Sequence, residues 1–380
     1  MQDAAEAARL AAAVKARAAE LGFTLAGICP AAPAAGYPRL QQWLAHGYAG
    51  EMDYFRKRLS AYEHPQHVLD GARSLVMLGL PYSGGPASTA PAGSGRVARY
   101  AWGPRDYHDV ARARLHELAD ALQRWSPGAR TRCVVDTAPL LEREFAMLAG
   151  LGWIGKHTLL LNRQQGSYFF LAALLADVEL AADVPAVVDH CGTCTACLDA
   201  CPTEAFPQPY VLDATRCISY LTIEHRSSVP VDLRRAMGDW LFGCDACQEA
   251  CPWNRFADAQ GDAEFHDRGD LNPATLGELF ALSAEAFRAR FRHSPLWRPR
   301  RRGLLRNAAI VLGNQRRLEA LDALVLGLHD EEPLVREAAA WALGELDAES
   351  ARTALHARLG AEEIDSVRRE IVAALNRSAG

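Results

Sequence analysis

Eight of the chain's ten cysteines lie between Cys191 and Cys251, and nothing else in the sequence limits the fold as sharply. The first run is Cys191-x2-Cys194-x2-Cys197-x3-Cys201-Pro202. The second is Cys244-x2-Cys247-x3-Cys251-Pro252, with its first member displaced upstream to Cys217. A disulfide framework does not suit this chain. Its opening residues, MQDAAEAARLAAAVKARAAELG, read as an amphipathic Ala-rich helix and not as an export signal. The spacing is that of the bacterial cluster-binding run, in which the last cysteine of each run ligates the other cluster. By that rule Cys191, Cys194, Cys197 and Cys251 hold one [4Fe–4S] cluster. Cys217, Cys244, Cys247 and Cys201 hold a second. Two four-cysteine zinc sites are the alternative, although zinc rarely needs two CxxxCP endings or three equally spaced cysteines. Cys29 and Cys133 sit in apolar, strand-like settings and read as inert thiols.

The residues around this module decide what the clusters serve. Across 1–185 the pattern alternates. A first helix precedes the strand-like GFTLAGIC, and the helix-like QQWLAHGYAGEMDYFRKRL follows. Ala72 to Tyr82 has the apolar density of a buried strand, and SGGPASTAPAGSG reads as a loop. DYHDVARARLHELADALQRW is an amphipathic helix, Thr131 to Val135 a strand, and Leu140 to Leu148 a helix. Leu159 to Leu161 and Tyr168 to Leu175 are strands across the turn NRQQGS. Such mixing predicts an α/β or α+β domain with a covered sheet of undetermined strand order. No GxGxxG follows a strand and no GxxxxGK[ST] occurs, so neither a dinucleotide fold nor a P-loop is supported.

Beyond the module, residues 257–280 form a connector, and Leu304 to Leu375 is helical throughout. RNAAIVLGN recurs as REAAAWALGE about 30 residues on, with Pro333 placed to open a helix, which predicts α-solenoid repeats. The expected divisions are 1–185, 186–256 and 257–380. The net charge of -5 argues against a uniformly basic nucleic-acid coat. Residues 286–306, AFRARFRHSPLWRPRRRGLLR, nevertheless carry eight Arg and no acid. They read as a phosphate-contacting stripe, with a solvated basic linker as the plainer alternative. Trp297 there either stacks on a base or packs. No run of 18 apolar residues occurs, so a cytoplasmic protein without a membrane span is expected.

An electron carrier with two clusters does not need so long a first half, so something there should receive the electrons. In ARYAWGPRDYHDV, Arg99, Tyr107 and His108 are placed to line a pocket, and Asp106 is placed as an N-cap. Asp136 ends an apolar strand. Partial burial would raise its pKa and suit it to be a general acid, while a capping role is the competing reading. In GLGWIGKHTLL, Gly150, Gly152 and Gly155 surround Trp153, followed by Lys156 and His157. The glycines would admit a large flat ligand, or merely form a turn.

Taken together, SLVMLGLPY, YAWGPRDYHD, VVDTAPLLERE, GLGWIGKHTLL, DHCGTCTACLDACPT, RCISYLTIEHR, FGCDACQEACPWN and GLLRNAAIVLGN strongly resemble the epoxyqueuosine reductase family over nearly the whole chain. The resemblance implies a nitroreductase-like α/β domain that binds the corrinoid cobalamin. A ferredoxin-like two-cluster module and a C-terminal HEAT-like all-α repeat domain would follow. It implies tRNA with epoxyqueuosine in the anticodon loop as substrate and partner. The epoxide oxygen is removed to leave queuosine, with Asp136 as proton donor and an external low-potential electron donor. The expected cobalamin contacts are Arg99, Tyr107, His108, Trp153, Lys156, His157 and Ser167, none of them a cobalt ligand. Ala98 stands where some members have a cysteine, so no thiol role is carried over there. A monomer is expected. A corrinoid and iron–sulfur reductase of a small molecule is the alternative, but it gives the arginines and the helical tail no purpose. A non-catalytic electron-transfer protein leaves Asp136 and the first domain without one.

Overall fold

The computed structural model describes residues 4–82, 89–257, 261–266, 269 and 274–377. Its first half is organised around the strand Ser74–Pro81, seven of whose eight residues are buried. This strand lies between Leu25–Pro30 and Phe169–Ala176, with Thr131–Val134 on the far edge, and every pairing is antiparallel. The unbroken apolar run follows from cover on both faces. Val76, Leu78 and Leu80 meet Leu10 and Val14 of the helix Ala4–Glu20 and Leu115 and Leu118 of the helix Tyr107–Trp125. Leu75 and Met77 point the other way, onto Phe145 and Ala146 of the helix Glu142–Leu148. Alternation along a strand produces both contacts at once. Burial pushes the Cys29 thiol up to about 12 and the Cys133 thiol to about 11, as inert thiols require.

Three expected elements change shape. The helix-like stretch after Gln41 breaks into Tyr37–Ala45 and Tyr54–Lys57, because Gly47 and Gly50 turn the chain at φ +76° and +53°. Gly50 cannot carry a side chain, since a Cβ would lie 2.2 Å from the Tyr220 hydroxyl. Leu160–Leu161 leaves the main sheet and pairs with Trp153–Ile154 instead. The expected loop 83–95 ends in a strand, Ser94–Val97. That strand pairs in parallel with Trp240–Phe242 and antiparallel with Ala274–Thr275, so it ties the first half to the cysteine module. Residues 83–88 of that loop lie outside the described residues, as do 258–260, 267–268 and 270–273 of the expected connector.

Five C-terminal helices follow: Arg300–Gln315, Leu321–Leu328, Pro333–Glu345, Glu349–Ala361 and Asp365–Arg377. The first packs on the third and the third on the fifth, as stacked repeats do. The recurring glycine of the repeat has a packing role. A Cβ on Gly313 would meet the Trp341 ring at 2.7 Å, and one on Gly344 would meet Ala374 at 2.7 Å. A single apolar core runs from Val97 through Leu221 and Phe242 into Leu304, Trp341 and Ile371. Among the described residues, no helix is long and apolar enough to cross a membrane.

The basic stripe is not uniform. Arg306 is 1% exposed and donates to the carbonyls of Leu221 at 2.5 Å, His225 at 2.9 Å and Ser227 at 2.8 Å. Burial lowers its pKa to about 9. Asn307 beside it donates to the carbonyls of Thr222 and Leu241. This pair staples the first repeat helix to the cysteine module. Arg301 is held by Asp330 at 2.7 Å. Trp297 packs on Phe287, with Arg300 over its ring. Arg288, Arg292, Arg300 and Arg302 face solvent.

Candidate active site and cluster cavities

Asp136 follows the edge strand in the left-handed region, at φ 57°. Its Oδ2 accepts from the Tyr107 hydroxyl at 3.0 Å and lies 3.3 Å from His108 Nε2 and 3.4 Å from Arg298 Nη2. Tyr107 and His108 are buried at the start of their helix. Asp106 caps that helix, accepting from the His108 backbone N–H at 3.0 Å, as its position predicted. Asp106 Oδ1 also lies 2.6 Å from His108 Nδ1, which orients the ring. About half of the Asp136 side chain remains open, at 51% exposure.

The sign of the pKa shift reverses the expectation. Burial pushes Asp136 up, but the hydrogen bond from His108, the charge of Arg298 and the Tyr107 hydroxyl hold it well below the usual carboxylate range. Glu142 goes the other way. Its Oε1 accepts from the Asp136 backbone N–H at 2.9 Å. Burial and then the charge of Asp136 push it up to about 8. Within this carboxylate pair Glu142 holds a proton more tightly than Asp136 does. Sequence reasoning missed both Glu142 and Arg298. Glu142 had a signal, a second acid six residues on in the same motif; Arg298 had none beyond its positive charge.

Two of the expected pocket residues are internal struts. Arg99 is 3% exposed; its backbone N–H donates to Asp245 at 2.8 Å, and its guanidinium reaches Asp245 at 3.1 Å and Glu249 at 2.8 Å. Ser167 is buried between Asn254 and Gln248. Both side chains brace the second cysteine run from within and offer no surface to a cofactor.

Cys191, Cys194, Cys197 and Cys251 ring a cavity of about 290 Å³, with Lys156 and His157 on its wall. The other four thiols also come together. Burial pushes Cys217, Cys244 and Cys247 up first, and the facing thiols among Cys201, Cys217, Cys244 and Cys247 add to this. Coordination to a metal cluster relieves that crowding of charge. The first set surrounds a volume and not a point. Among the described residues, no three metal-ligating side chains converge on one ion. That geometry suits cubes better than zinc.

Lys156 and His157 of GLGWIGKH line this cavity, whereas Gly150, Gly152 and Trp153 line a second one of about 640 Å³. A Cβ on Gly152 would lie 1.9 Å from the Leu161 carbonyl oxygen, so this glycine lets the hairpin close. Trp153 packs edge-on to Trp253 and His190. Lys156 Nζ donates to the carbonyls of Gly192 at 2.6 Å and Cys194 at 2.9 Å. Burial and the nearby charge of Arg143 lower His157 to about 4.

A cysteine module built around cube-sized space, braced against an α/β domain that presents an open carboxylate pair, defines an iron–sulfur oxidoreductase. The comparisons agree. Residues 63–137 match the family model "Epoxyqueuosine reductase QueG, DUF1730", 190–254 match a 4Fe-4S double cluster binding domain, and 300–376 match HEAT repeats. The epoxyqueuosine reductase of Pseudomonas aeruginosa is 45% identical over 341 residues, covering 88% of this chain and 94% of that one. The Escherichia coli K12 protein of the same name is 41% identical, covering 89% of each chain. A crystal structure of epoxyqueuosine reductase with an epoxyqueuosine-modified tRNA-Tyr stem loop superposes with a TM-score of 0.91 at 31% identity, over 98% of this chain and 99% of that one. A Bacillus subtilis structure, with its catalytic aspartate loop swung out of the active site, has a TM-score of 0.89 at 31% identity, over 97% of this chain and 99% of that one. The chain belongs to the epoxyqueuosine reductase family. Its architecture is that family's nitroreductase-like α/β layer, cluster-binding domain and HEAT-like repeats.

Proposed function

We propose that this chain reduces epoxyqueuosine at the tRNA wobble position to queuosine, using two [4Fe–4S] clusters and cobalamin. The observation that carries the reading is the Asp136–Glu142 pair, in which Asp136 is open to solvent and held by Tyr107, His108 and Arg298. The relatives' activity and the tRNA stem loop bound to one of them support the substrate. The reaction consumes two electrons and two protons and releases the epoxide oxygen as water.

Cobalamin, when bound, supplies the low-potential chemistry that opens the epoxide. The chain's residues do the rest. Cys191, Cys194, Cys197 and Cys251 hold one cluster, and Cys201, Cys217, Cys244 and Cys247 the other. An external low-potential donor feeds them one electron at a time. Asp136 takes a proton from Glu142, the group of the pair that holds it more tightly, and passes it to the leaving oxygen. Tyr107 and His108 orient Asp136. Of the expected cofactor contacts, Tyr107, His108 and Trp153 remain candidates, whereas the place of Lys156 and His157 on the wall of the first cluster's cavity, the internal ion pairs of Arg99 and the hydrogen bonds of Ser167 argue against these four. Arg288, Arg292, Arg300 and Arg302 contact tRNA phosphates. The working units are 1–185, 186–256 and 257–380, acting in a monomer.

The test is an anaerobic assay with reconstituted clusters, cobalamin, a low-potential reductant and tRNA carrying epoxyqueuosine, read by mass spectrometry of the nucleosides. Loss of one oxygen mass, dependent on cobalamin and strongly reduced in Asp136→Asn, supports the reading. No mass change with both cofactors in place overturns it.

A further inference from the structure

His157 is 2% exposed on the wall of the cavity ringed by Cys191, Cys194, Cys197 and Cys251. A neighbour fixes its tautomer. The Leu159 backbone N–H donates to His157 Nδ1 at 3.2 Å. A nitrogen that accepts carries no proton, so the proton of the neutral ring sits on Nε2. That Nε2 is buried and has no hydrogen-bond partner among the described residues. Orphaned buried donors are rare in folded proteins, and one on a cavity wall points to a partner inside the cavity.

The local sequence is arranged around this ring. Gly155 leaves it room: a Cβ there would lie 3.0 Å from His157 Cε1. Lys156, next in the chain, ties down the Cys191–Cys194 loop through its two carbonyl contacts and brings a cation beside the same thiols.

We infer that His157 Nε2–H donates a hydrogen bond to sulfur of the cluster held by Cys191, Cys194, Cys197 and Cys251, and so raises that cluster's reduction potential. The inference rests on the cluster assignment proposed above and adds to it a residue that tunes one of the two potentials. A donor to sulfur stabilises the more negative, reduced cluster more than the oxidised one, and hydrogen bonds to sulfur are an established control on cluster potential.

The experiment uses the full chain with both clusters reconstituted under anaerobic conditions and iron and sulfide measured. Pulsed EPR of the reduced protein labelled with ¹⁵N-histidine should show a histidine nitrogen coupled to one cluster, together with an exchangeable proton. This reading needs no variant and survives any folding defect. Potentiometric titration of His157→Leu should then shift one midpoint to a more negative value and leave the other unchanged. A reduced wild-type protein with full iron and no histidine coupling overturns the inference, as do two unchanged midpoints in a fully loaded His157→Leu. Failure to bind iron at all is a different result. It removes the cluster assignment itself.

Discussion

Arg298 and Asp136, 162 residues apart in the chain, meet with Nη2 3.4 Å from Oδ2, and the same Nη2 lies 2.6 Å from His108 Nε2. The basic segment therefore reaches into the carboxylate site through one arginine. Arg298 is 29% exposed on the side facing solvent, where a phosphate could compete for its guanidinium. While it stays on Asp136, it keeps that carboxylate ionised, the wrong state for an acid.

Replacing Arg298 by Gln should raise the pKa of Asp136. The guanidinium is among the groups that depress it, and its loss leaves burial less opposed. Infrared titration of the Asp136 carboxylate band, assigned through Asp136→Asn, measures this. A midpoint that stays put or falls in Arg298→Gln would contradict the geometry. In the assay, kcat against pH should shift its alkaline limb in the same direction, toward higher pH, which an arginine that only bound tRNA would not cause.

Glu142 makes two separable predictions. Its Oε1 holds the Asp136 amide while Asp136 sits in the left-handed region, where a residue other than glycine is strained by about 1 kcal/mol or more. Glu142→Ala should speed hydrogen exchange at Asp136 by about fivefold to tenfold, the weight of one hydrogen bond. Glu142→Gln, which keeps an acceptor, should not. The second prediction concerns pH. The folded-state pKa of Glu142 is about 8, above its ordinary value of 4.5, so between those values the native state binds more protons than the unfolded chain. Native stability therefore falls as pH rises through that window. Glu142→Gln should gain stability relative to wild type from about pH 5 to pH 8, read as a widening difference in Tm. A constant difference across that range would sink the assignment.

The eight arginines of residues 286–306 should not behave alike. Arg306→Met strands the carbonyls of Leu221, His225 and Ser227, and should destabilise by about 3 kcal/mol in chemical denaturation. Arg300→Ala and Arg302→Ala lie on the surface and should leave Tm unchanged. Each should instead weaken tRNA binding and lower the salt slope of affinity by about 1. Equal destabilisation at all three positions would refute the division.

That division marks where a sequence stops being readable. Cysteine spacing, the buried strand at Ser74–Pro81, the Asp106 cap and the repeat around Pro333 are local patterns, and local patterns survive folding. Eight positive charges in a row look equivalent until the fold buries one of them against backbone carbonyls contributed by the cysteine module. The direction of the Asp136 shift is hidden for the same reason, because Arg298 comes from a distant segment. The glycines of GLGWIGKH are ambiguous in another way: close approach of backbone to a ligand and closure of a tight hairpin require the same residue.

The cluster assignment makes the strongest demand on the fold, since it sends the last cysteine of each run to the opposite cluster. Cys251 belongs by position to the second run, yet it lines the cavity with Cys191, Cys194 and Cys197. Cys201, from the first run, faces Cys217 and Cys247. Single substitutions cannot test this well, because losing any ligand lowers the iron content. Pairs can. Cys194→Ala with Cys251→Ala removes two ligands of one cluster, so the double variant should keep about half the iron, as each single does, and one EPR-active cluster when reduced. Cys194→Ala with Cys201→Ala takes one ligand from each and should lose both signals. If the first pair loses all iron and the second keeps half, each run binds its own cluster and the crossed arrangement is wrong. The crossed arrangement has a mechanical consequence as well: neither cluster can form until both runs are folded together, so the two should assemble cooperatively when iron and sulfide are titrated in.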